Sequence, residues 1–388
     1  TMKGVFPFMN IAINSVLSFG IKLSSKIGHK KTAIGGICVI SLTVFTCSFV
    51  TNMYLFIFLY AILVGISTGL IYMVPVICGW SYFPNKRGAV SGIIVAGYGF
   101  GSFTFNLIAV ALVNPNNEKA SVEIDGYKYF SSDVYDRVPM MFRILSLCYL
   151  LTGLIGACLV KMPTKKAIQL HEEHEMLTKE GKKKKEVKDH EEHLQECHSI
   201  LQGLKTRPFW LLMFMVIFGA FFGLLMANNY KVYGLEQIDD DQFMSVVGSV
   251  GAAVNGFSRA GWALALDRFG FKKIFFIIII IQSIVCATLD TISESKALYL
   301  IWYAIIMCTE GGIVSMSPAI TRKVFGARIG PLIYGFIFFG FAVANLSAFM
   351  LTQLALDSLQ WSGIFWVSFA LTVGAGLLNI PFAEKYKF

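Results

Sequence analysis

The chain has 388 residues, of which 55% are hydrophobic and 15% are charged, and its mean hydropathy is +0.64. A soluble globular protein carries about 25% charged residues, so this composition excludes a soluble domain. In a soluble protein the formal net charge of +9 would favour nucleic acid as a partner. Here the basic residues lie mainly in short segments between apolar runs, which is typical of membrane loops and not of a nucleic-acid-binding patch.

A helix that crosses the hydrocarbon core of a bilayer needs about 20 mostly apolar residues. The sequence contains eleven such runs, and we therefore predict an all-α polytopic membrane protein with eleven spans. The runs are 4–23, 32–50, 53–81, 88–113, 141–160, 208–229, 243–265, 274–291, 297–320, 331–353 and 361–382.

The segments between the runs alternate in charge along the chain. Segments 22–31, 268–273 and 322–328 are basic. The segments that alternate with the basic ones along the chain, such as 114–140 and 228–242, are neutral or acidic. Because Lys and Arg are enriched in cytoplasmic loops, we predict that the basic segments face the cytoplasm. The same alternation places the start of the chain on the opposite side of the membrane.

A charged segment, 161–207, divides the chain into two parts, and it contains 11 Lys or Arg and 9 Asp or Glu residues. We interpret it as a cytoplasmic linker, helical or partly disordered, between an N-terminal bundle at 1–160 and a C-terminal bundle at 208–388. The two bundles share a pattern, since Tyr-Ala-Ile occurs at 60–62 and at 303–305, each time opening a span that ends in a short basic loop. An internal repeat around a basic central loop favours a secondary transporter, with its substrate between the halves at mid-membrane.

Two short loops contain the next motif. Residues 267–273 read Asp-Arg-Phe-Gly-Phe-Lys-Lys, and the corresponding residues 25–31 of the first half read Ser-Lys-Ile-Gly-His-Lys-Lys. Residues 267–273 resemble the D-R-x-G-x-K/R loop signature of the major facilitator superfamily. In residues 25–31, Ser25 stands where that family usually has Asp. A glycine permits a tight turn, and an Asp at a helix end can cap the N-terminus of a neighbouring helix. The resemblance implies a gating role for Asp267, Arg268, Gly270, Lys273, Gly28 and Lys30.

A closer resemblance covers residues 65–101. Gly65, Gly69, Tyr72, Pro75 and Trp80 precede Phe-Pro-Asn-Lys-Arg-Gly at 83–88, and a glycine series follows at 97–101. This stretch, together with Asn-Gly-Phe-Ser-Arg at 255–259, is similar to the oxalate:formate antiporter and monocarboxylate transporter branch of the superfamily. The resemblance implies two pseudo-symmetric helical bundles with twelve spans. The run at 4–23 then corresponds to the second span, and we expect the first to be missing from this chain.

Arg259 is the strongest candidate for a substrate-binding residue. It lies inside an apolar run about 8 residues before Asp267, or roughly 12 Å along a helix. A buried Arg is costly in lipid and normally faces a polar cavity, and its planar guanidinium suits a carboxylate. The resemblance implies the same role, because the matching Arg of the antiporter branch contacts the anionic substrate. A structural ion pair is the alternative.

Four further residues are candidates for the same site. Glu310 is the other charged residue at mid-membrane, and it is interpreted either as a proton-binding coupling carboxylate or as a structural partner of Arg259. Asn255, one turn before Arg259, would bind substrate or orient the guanidinium, unless it serves helix packing. Asn14 and Tyr72 are candidates to line the cavity, with helix packing and aromatic packing as their alternatives.

The family's oxalate carrier has a second cation, a Lys in its eleventh span, whereas residues 331–353 contain neither Lys nor Arg. A single buried cation favours a monocarboxylate such as lactate, pyruvate or formate over oxalate. We therefore predict a secondary transporter of small organic anions that works by alternating access, driven by protons or by exchange. The rival hypothesis is a transporter-derived structural subunit of a larger membrane complex, with partner subunits, because the first span, the loop Asp and the Lys are missing.

Other classes of function receive little support. Nothing resembles a nucleotide-binding P-loop, and the apolar runs contain no nucleophile–base pair, so neither ATP drive nor an enzyme is expected. The His pairs at 171/174 and 190/193 suit a solvated charged helix better than a metal site. The prediction is thus an integral multi-pass membrane protein without cofactor or metal, whose partners are the lipid bilayer and a small organic anion.

Overall fold

The structure is a computed structural model of the chain, and it describes residues 5–83, 87–116, 118, 122–124, 127–163, 197–384 and 386. Long helices joined by short turns make up most of these residues. The helices of the first half are α1 (Val5–Ile27), α2 (His29–Cys47), α3 (Met53–Tyr82), α4 (Arg87–Val113) and α5 (Val138–Leu159). The second half begins with the short α6 (Ile200–Leu204), followed by α7 (Arg207–Gln237), α8 (Asp241–Phe269), α9 (Phe271–Ile292) and the helical stretch Lys296–Asn379. One turn of helix at Ser132–Tyr135 precedes α5, and an antiparallel hairpin of β1 (Val122–Ile124) and β2 (Tyr127–Tyr129) lies between α4 and α5.

The stretch Lys296–Asn379 contains three spans. Its hydrogen bonding continues through two sharp bends, at Gly326 with φ 86° and at Gln360 with φ 53°. These bends divide it into α10 (296–325), α11 (327–359) and α12 (361–379). Eight helices of the described chain are long and apolar enough to cross a membrane, and this stretch is one of them. With its three parts counted separately and α8 added, the predicted all-α polytopic fold with eleven spans is confirmed, with the small hairpin as an addition to it.

The helix α3 is irregular in two places. It comprises Met53–Ile57, a π-helical turn at Phe58–Leu63, then Val64–Ile71 and Val74–Tyr82. Asn52 caps its start, since its side-chain oxygen accepts a hydrogen bond from the Tyr54 N–H at 2.9 Å. The interruption at residues 72 and 73 comes just before Pro75, which cannot donate a backbone hydrogen bond. The sequence predicted the span but neither irregularity.

Large apolar side chains cover the outside of the helices. Leu42, Ile155, Leu159, Leu354 and Leu377 are between 61% and 79% exposed. Water would not tolerate so much exposed apolar surface, whereas lipid tails do. The chain is therefore an integral membrane protein with many spans.

The two halves of the chain meet along two rows of helices, which we call the seam. In one row α4 packs against α8, and in the other α1 and α3 pack against α11. Bare backbone brings α4 and α8 close, because a Cβ on Gly99 would lie 2.4 Å from Gly256 Cα. We call the end of the molecule that carries loops 25–31, 268–273 and 322–328 the basic face.

The structure differs from the sequence prediction at the end of one span. The predicted apolar run 208–229 is shorter than α7, which continues to Gln237. In this extension Tyr233 is buried and Lys231 Nζ lies 2.8 Å from Asp241 Oδ1. Most of the predicted linker 161–207, including both His pairs, lies outside the described residues. Its boundaries, and those of the two bundles, stay predictions.

Candidate substrate site between the two halves

Arg259 lies on α8 inside the seam, about 10 residues before the helix ends, or roughly 15 Å along its axis. Its side chain is 7% exposed. At the start of α8, Asp240 Oδ1 accepts a hydrogen bond from the Phe243 N–H at 2.9 Å. At the basic face Gly270, with φ 83°, ends the helix. These two ends set the depth at which Arg259 enters the seam.

Neutral oxygens from both halves hold the Arg259 guanidinium. Nη1 donates to the Val95 carbonyl oxygen of α4 at 2.9 Å, and Nη2 donates to Asn255 Oδ1 at 2.7 Å. Nε–H has no partner, and no carboxylate oxygen of the described residues lies within 4.0 Å of the group. The seam therefore contains a buried positive charge that no described anion neutralises, with one N–H group still to donate.

Asn255 orients this guanidinium. Its Oδ1 accepts from Arg259, while its Nδ2 donates to the Met307 carbonyl oxygen of α10 at 2.8 Å. The amide is thus fixed by a backbone group on one side and holds the Arg on the other. In this conformation the amide holds the guanidinium in place, and the second N–H of its Nδ2 group is still able to donate to a substrate.

Glu310 lies on α10 and directly precedes Gly311, which packs against Arg259. A Cβ on Gly311 would lie 3.3 Å from Arg259 Cγ, so the two helices touch at this level. Glu310 is 5% exposed, and neither carboxylate oxygen has a hydrogen-bond partner among the described residues. The side chain packs against bare backbone of α7, where a Cβ on Gly223 would lie 2.4 Å from Glu310 Oε2. Glu310 and Arg259 are neighbours that do not form an ion pair here.

Of the remaining predicted residues, Tyr72 lies at the seam and Asn14 is bonded within its own helix. The Tyr72 ring stacks on Phe338 of α11, with 5.2 Å between ring centroids. Asn14 is buried, its Nδ2 donates to the Asn10 carbonyl oxygen at 2.5 Å, and its Oδ1 has no partner. The structure brings Tyr72 to the same seam as Arg259, whereas the side-chain hydrogen bond of Asn14 lies within α1.

The Asp267 carboxylate joins the two halves at the basic face. Its Oδ1 accepts from the Gly88 N–H at 3.1 Å and its Oδ2 from the Ala89 N–H at 2.8 Å, so it caps the N-terminus of α4. Gly88 and Ala89 belong to the first half and Asp267 to the second. This is the helix-capping contact that the loop motif led us to expect.

The other residues of the two loops stay within their own halves. Gly28 and Gly270 have φ 101° and 83° and form the tight turns that begin α2 and α9. Lys30 Nζ lies 3.4 Å from the Cys158 carbonyl oxygen at the end of α5. Arg268 lies over the Phe269 ring, and Lys273 is exposed. Their predicted role in gating remains a prediction.

Sequence reasoning missed a clamp at the end of the chain. Glu384 Oε1 accepts from the Lys272 backbone N–H at 2.9 Å, and its Oε2 binds Lys323 Nζ, so that Glu384 ties the α8–α9 loop to α10. Partial burial alone would raise the pKa of Glu384, but the hydrogen bonds from Lys323 and the Lys272 backbone outweigh it and the pKa is lowered. The signal available in the sequence was an acidic residue, Glu384, three positions after Pro381 and at the same end of the helices as a basic loop.

A cation–π contact between the two halves was missed as well. The Arg322 guanidinium carbon of α10 lies 4.8 Å from the centroid of the Trp80 ring of α3, and Trp80 Nε1 donates to Ser91 Oγ at 2.8 Å. Trp80 is fully buried. In the sequence Trp80 stands out only as part of a family pattern. Its contact with Arg322 could not be predicted, because the two residues are 242 positions apart.

Comparison with known proteins agrees with this architecture. Residues 15–309 match the family model of the Major Facilitator Superfamily. Apicoplast pyruvate carrier 1 of Toxoplasma gondii is 27% identical over 87% of this chain, and the Oxalate:formate antiporter of Oxalobacter formigenes is 24% identical over 80% of it. The chain spans 66% of the length of each of these relatives. A crystal structure of the E. coli fucose:proton symporter FucP superposes with a TM-score of 0.63 at 11% identity, covering 98% of this chain and 91% of the symporter. The match of residues 15–309 to the family model establishes that the chain belongs to the major facilitator superfamily.

Proposed function

We propose that this protein carries small monocarboxylates across its membrane by alternating access, with Arg259 as the group that binds the carboxylate. One observation carries the proposal: Arg259 is a buried cation whose contacts among the described residues, two oxygens and the Tyr98 ring 5.6 Å from its Cζ, are all neutral. An unpaired buried charge is unfavourable unless an anion neutralises it. A carboxylate that approaches Nε and one Nη would form two parallel charge-assisted hydrogen bonds with the guanidinium.

The two named relatives support an organic anion as substrate. One is named a pyruvate carrier and the other an oxalate:formate antiporter, and all three acids are small carboxylates. The choice of a monocarboxylate rests on this chain alone, since α11 contains no Lys or Arg between residues 331 and 353. A dianion would leave its second carboxylate without a cation.

Glu310 is the proton-carrying group of the proposed mechanism. An ionised carboxylate that is buried without any hydrogen bond is strongly unfavourable, so a neutral, protonated Glu310 fits the observed surroundings. When the halves move apart, Arg259 is free of Val95 and able to approach the Glu310 carboxylate, which favours release of the proton. Uptake of a proton together with a monocarboxylate leaves the net charge unchanged.

The position of the Val95 contact supports alternating access. Arg259 belongs to the second half and Val95 to the first, so their 2.9 Å hydrogen bond exists only while α4 and α8 are close. A carboxylate that takes the Nη1–H group would replace that bond. Substrate binding therefore weakens one contact that holds the seam together.

The test is uptake of labelled pyruvate, formate and oxalate into proteoliposomes that contain the complete gene product. We expect uptake of pyruvate and formate to exceed that of oxalate, Arg259→Ala to lose at least about 100-fold, and Arg259→Lys to recover only part of it. Arg143→Ala is the matched control, because Arg143 lies at the end of α5 away from the basic face and contacts Ser48 and Phe49. No uptake of any small anion by folded wild-type protein would overturn the proposal and favour a structural subunit.

Glu310→Gln separates the two coupling modes. If Glu310 carries the proton, this variant loses uptake driven by a pH gradient but retains exchange of labelled for unlabelled pyruvate. Equal loss of both activities, with the melting temperature in detergent unchanged, would contradict a proton-carrying role.

A further inference from the structure

Two helices of the second half, α8 and α10, are joined beside the candidate site by two hydrogen bonds from side chains to backbone. Asn255 Nδ2 donates to the Met307 carbonyl oxygen at 2.8 Å, and Trp262 Nε1 donates to the Cys308 carbonyl oxygen at 2.9 Å. A carbonyl oxygen has two lone pairs, so each one is able to accept such a donor in addition to an N–H group of its own helix. We call these two hydrogen bonds the clip.

Two glycines of α10 bring the helices together at the level of the clip. A Cβ on Gly311 would lie 2.7 Å from the Asn255 carbonyl oxygen and 3.3 Å from Arg259 Cγ. A Cβ on Gly312 would lie 2.9 Å from Trp262 Cδ1. Glycines let the backbone of one membrane helix approach another closely. The clip therefore holds α10 against α8 where both the guanidinium stem and the indole ring touch bare backbone.

The two bonds of the clip together fix the rotation of α10. Their acceptors, Met307 and Cys308, are consecutive residues, so the two carbonyl groups lie about 100° apart around the helix axis. Their donors, Asn255 and Trp262, are seven positions apart on α8, or roughly 10 Å. A single bond would let α10 turn about it, whereas two bonds from different directions oppose both rotation and sliding.

The clip lies wholly within the second half, whereas one bond of Arg259 crosses the seam. Arg259 Nη1 reaches the Val95 carbonyl oxygen of the first half at 2.9 Å, so this bond breaks when α4 and α8 separate. Both bonds of the clip join α8 to α10, and the same movement leaves them in place. Arg259 and Glu310, one on each of the clipped helices, then stay neighbours while the seam opens.

We propose that Trp262 is a positioning residue that, through the clip, holds Glu310 beside Arg259 and so links proton binding to anion binding. The inference rests on the proposed function and deepens it, because there Arg259 binds the carboxylate and Glu310 carries the proton. The interaction between two charged groups falls as their separation grows. An α10 that is free to rotate would carry Glu310 away from Arg259, and the anion would then bind whether or not the proton is present.

Trp262→Phe removes the N–H donor, keeps an aromatic ring and is the direct test. In proteoliposomes with the complete gene product we expect pyruvate accumulation driven by a pH gradient to fall about 5-fold or more, the lower end of typical coupling between two sites. Exchange of labelled for unlabelled pyruvate at equal pH should change less than about 2-fold, because Arg259 is intact. Trp302→Phe is the matched control, since Trp302 also lies on α10 but its Nε1 donates to Thr288 Oγ1 of α9 at 2.8 Å.

Gly312→Ala disturbs the clip without changing Trp262. The new Cβ would lie 2.9 Å from Trp262 Cδ1, so the indole ring has to move away from its bond to Cys308. We expect the same loss of gradient-driven accumulation, with exchange retained. Gly219→Ala on α7, whose Cβ would lie no closer than 3.4 Å to the side chains around it, should change neither activity. The melting temperature of each variant in detergent shows whether it is folded, and Gly312→Ala provides the test if Trp262→Phe does not fold.

The outcomes separate the positioning role from the proposed function. A folded Trp262→Phe variant that accumulates pyruvate like the wild type, or that loses accumulation and exchange equally, refutes the positioning role while carboxylate transport stands. The same selective loss in Trp302→Phe refutes it as well. Wild-type protein that exchanges pyruvate but does not accumulate it under a pH gradient refutes proton coupling together with the positioning role, and wild-type protein without any uptake refutes the proposed function itself. Loss of accumulation alone, in both Trp262→Phe and Gly312→Ala, supports both.

Discussion

Asp267→Asn should weaken the contact between the two halves at the basic face. The carboxylate accepts one hydrogen bond from the Gly88 N–H at 3.1 Å and one from the Ala89 N–H at 2.8 Å. Asparagine has the same shape but only one accepting oxygen, and its amide group would face the second N–H. The substitution also removes a negative charge from the N-terminus of α4.

The magnitude follows from these contacts. A hydrogen bond to a charged group contributes about 1.5–3 kcal/mol, and a charge at a helix N-terminus about 0.3–1 kcal/mol. Asp267 is exposed to solvent, so we take the lower end of both ranges. Loss of one bond and of the charge then costs about 2 kcal/mol, or about 30-fold in the equilibrium between forms closed and open at the basic face.

Pulsed electron paramagnetic resonance measures this equilibrium. Spin labels at Lys26→Cys and Arg328→Cys, with the eight native cysteines replaced, lie on opposite halves and are both exposed at the basic face. In Asp267→Asn we expect a new population at longer distance, and in Asp357→Asn, at the far end of α11, none. If the distance distribution of Asp267→Asn matches that of the parent protein, Asp267 does not hold the seam and the reasoning is wrong.

Two further predictions test the seam and the clamp. Gly99→Leu should separate α4 from α8, break the Arg259–Val95 bond and abolish uptake, because its Cβ would lie 2.4 Å from Gly256 Cα; Gly101→Leu, whose Cβ meets no atom within 4 Å, should retain uptake. Because the pKa of Glu384 is lowered by folding, its charge stabilises the fold above the unfolded pKa, and this contribution disappears as the pH falls through the folded value. Glu384→Gln should therefore lower the melting temperature at neutral pH by about 1–3 °C, for a loss of about 0.5–1 kcal/mol. A deficit that persists in acid, or one that the exposed Glu294→Gln reproduces, would contradict this assignment.

Part of the candidate site could be predicted from the sequence. A charged residue inside an apolar run is unusual enough to stand out, and both Arg259 and Glu310 were identified in this way. The sequence does not predict whether they pair, because an ion pair depends on side-chain directions that spacing does not determine. In the structure Asn255 and Val95 take the N–H groups of Arg259. The Val95 contact is made by a backbone oxygen, which has no signature in the sequence.

Tyr334 is a second residue whose surroundings the sequence does not predict. Tyrosine is common in membrane helices, and nothing in the sequence distinguishes this one from Tyr72 or Tyr98. Only the structure shows that it is completely buried and that it packs, like Tyr72, on the Phe338 ring. Likewise Lys272, and not the predicted Lys273, makes the contacts of the second loop, since it is Lys272 that bonds to the Ile380 carbonyl oxygen and to Glu384.

The sequence by itself determined the class of protein, the number of spans and the depth of the buried charges. These properties depend on how many consecutive apolar residues lipid requires and on the cost of a charge within them, and both can be counted along the chain. Only the tertiary structure decided which groups meet at the seam. The contacts of Arg259 with Val95, of Asp267 with Gly88 and of Tyr334 beside Tyr72 join residues more than 160 positions apart. Such contacts form where bare glycine backbone lets helices of the two halves approach, a matter of packing in three dimensions and not of local pattern.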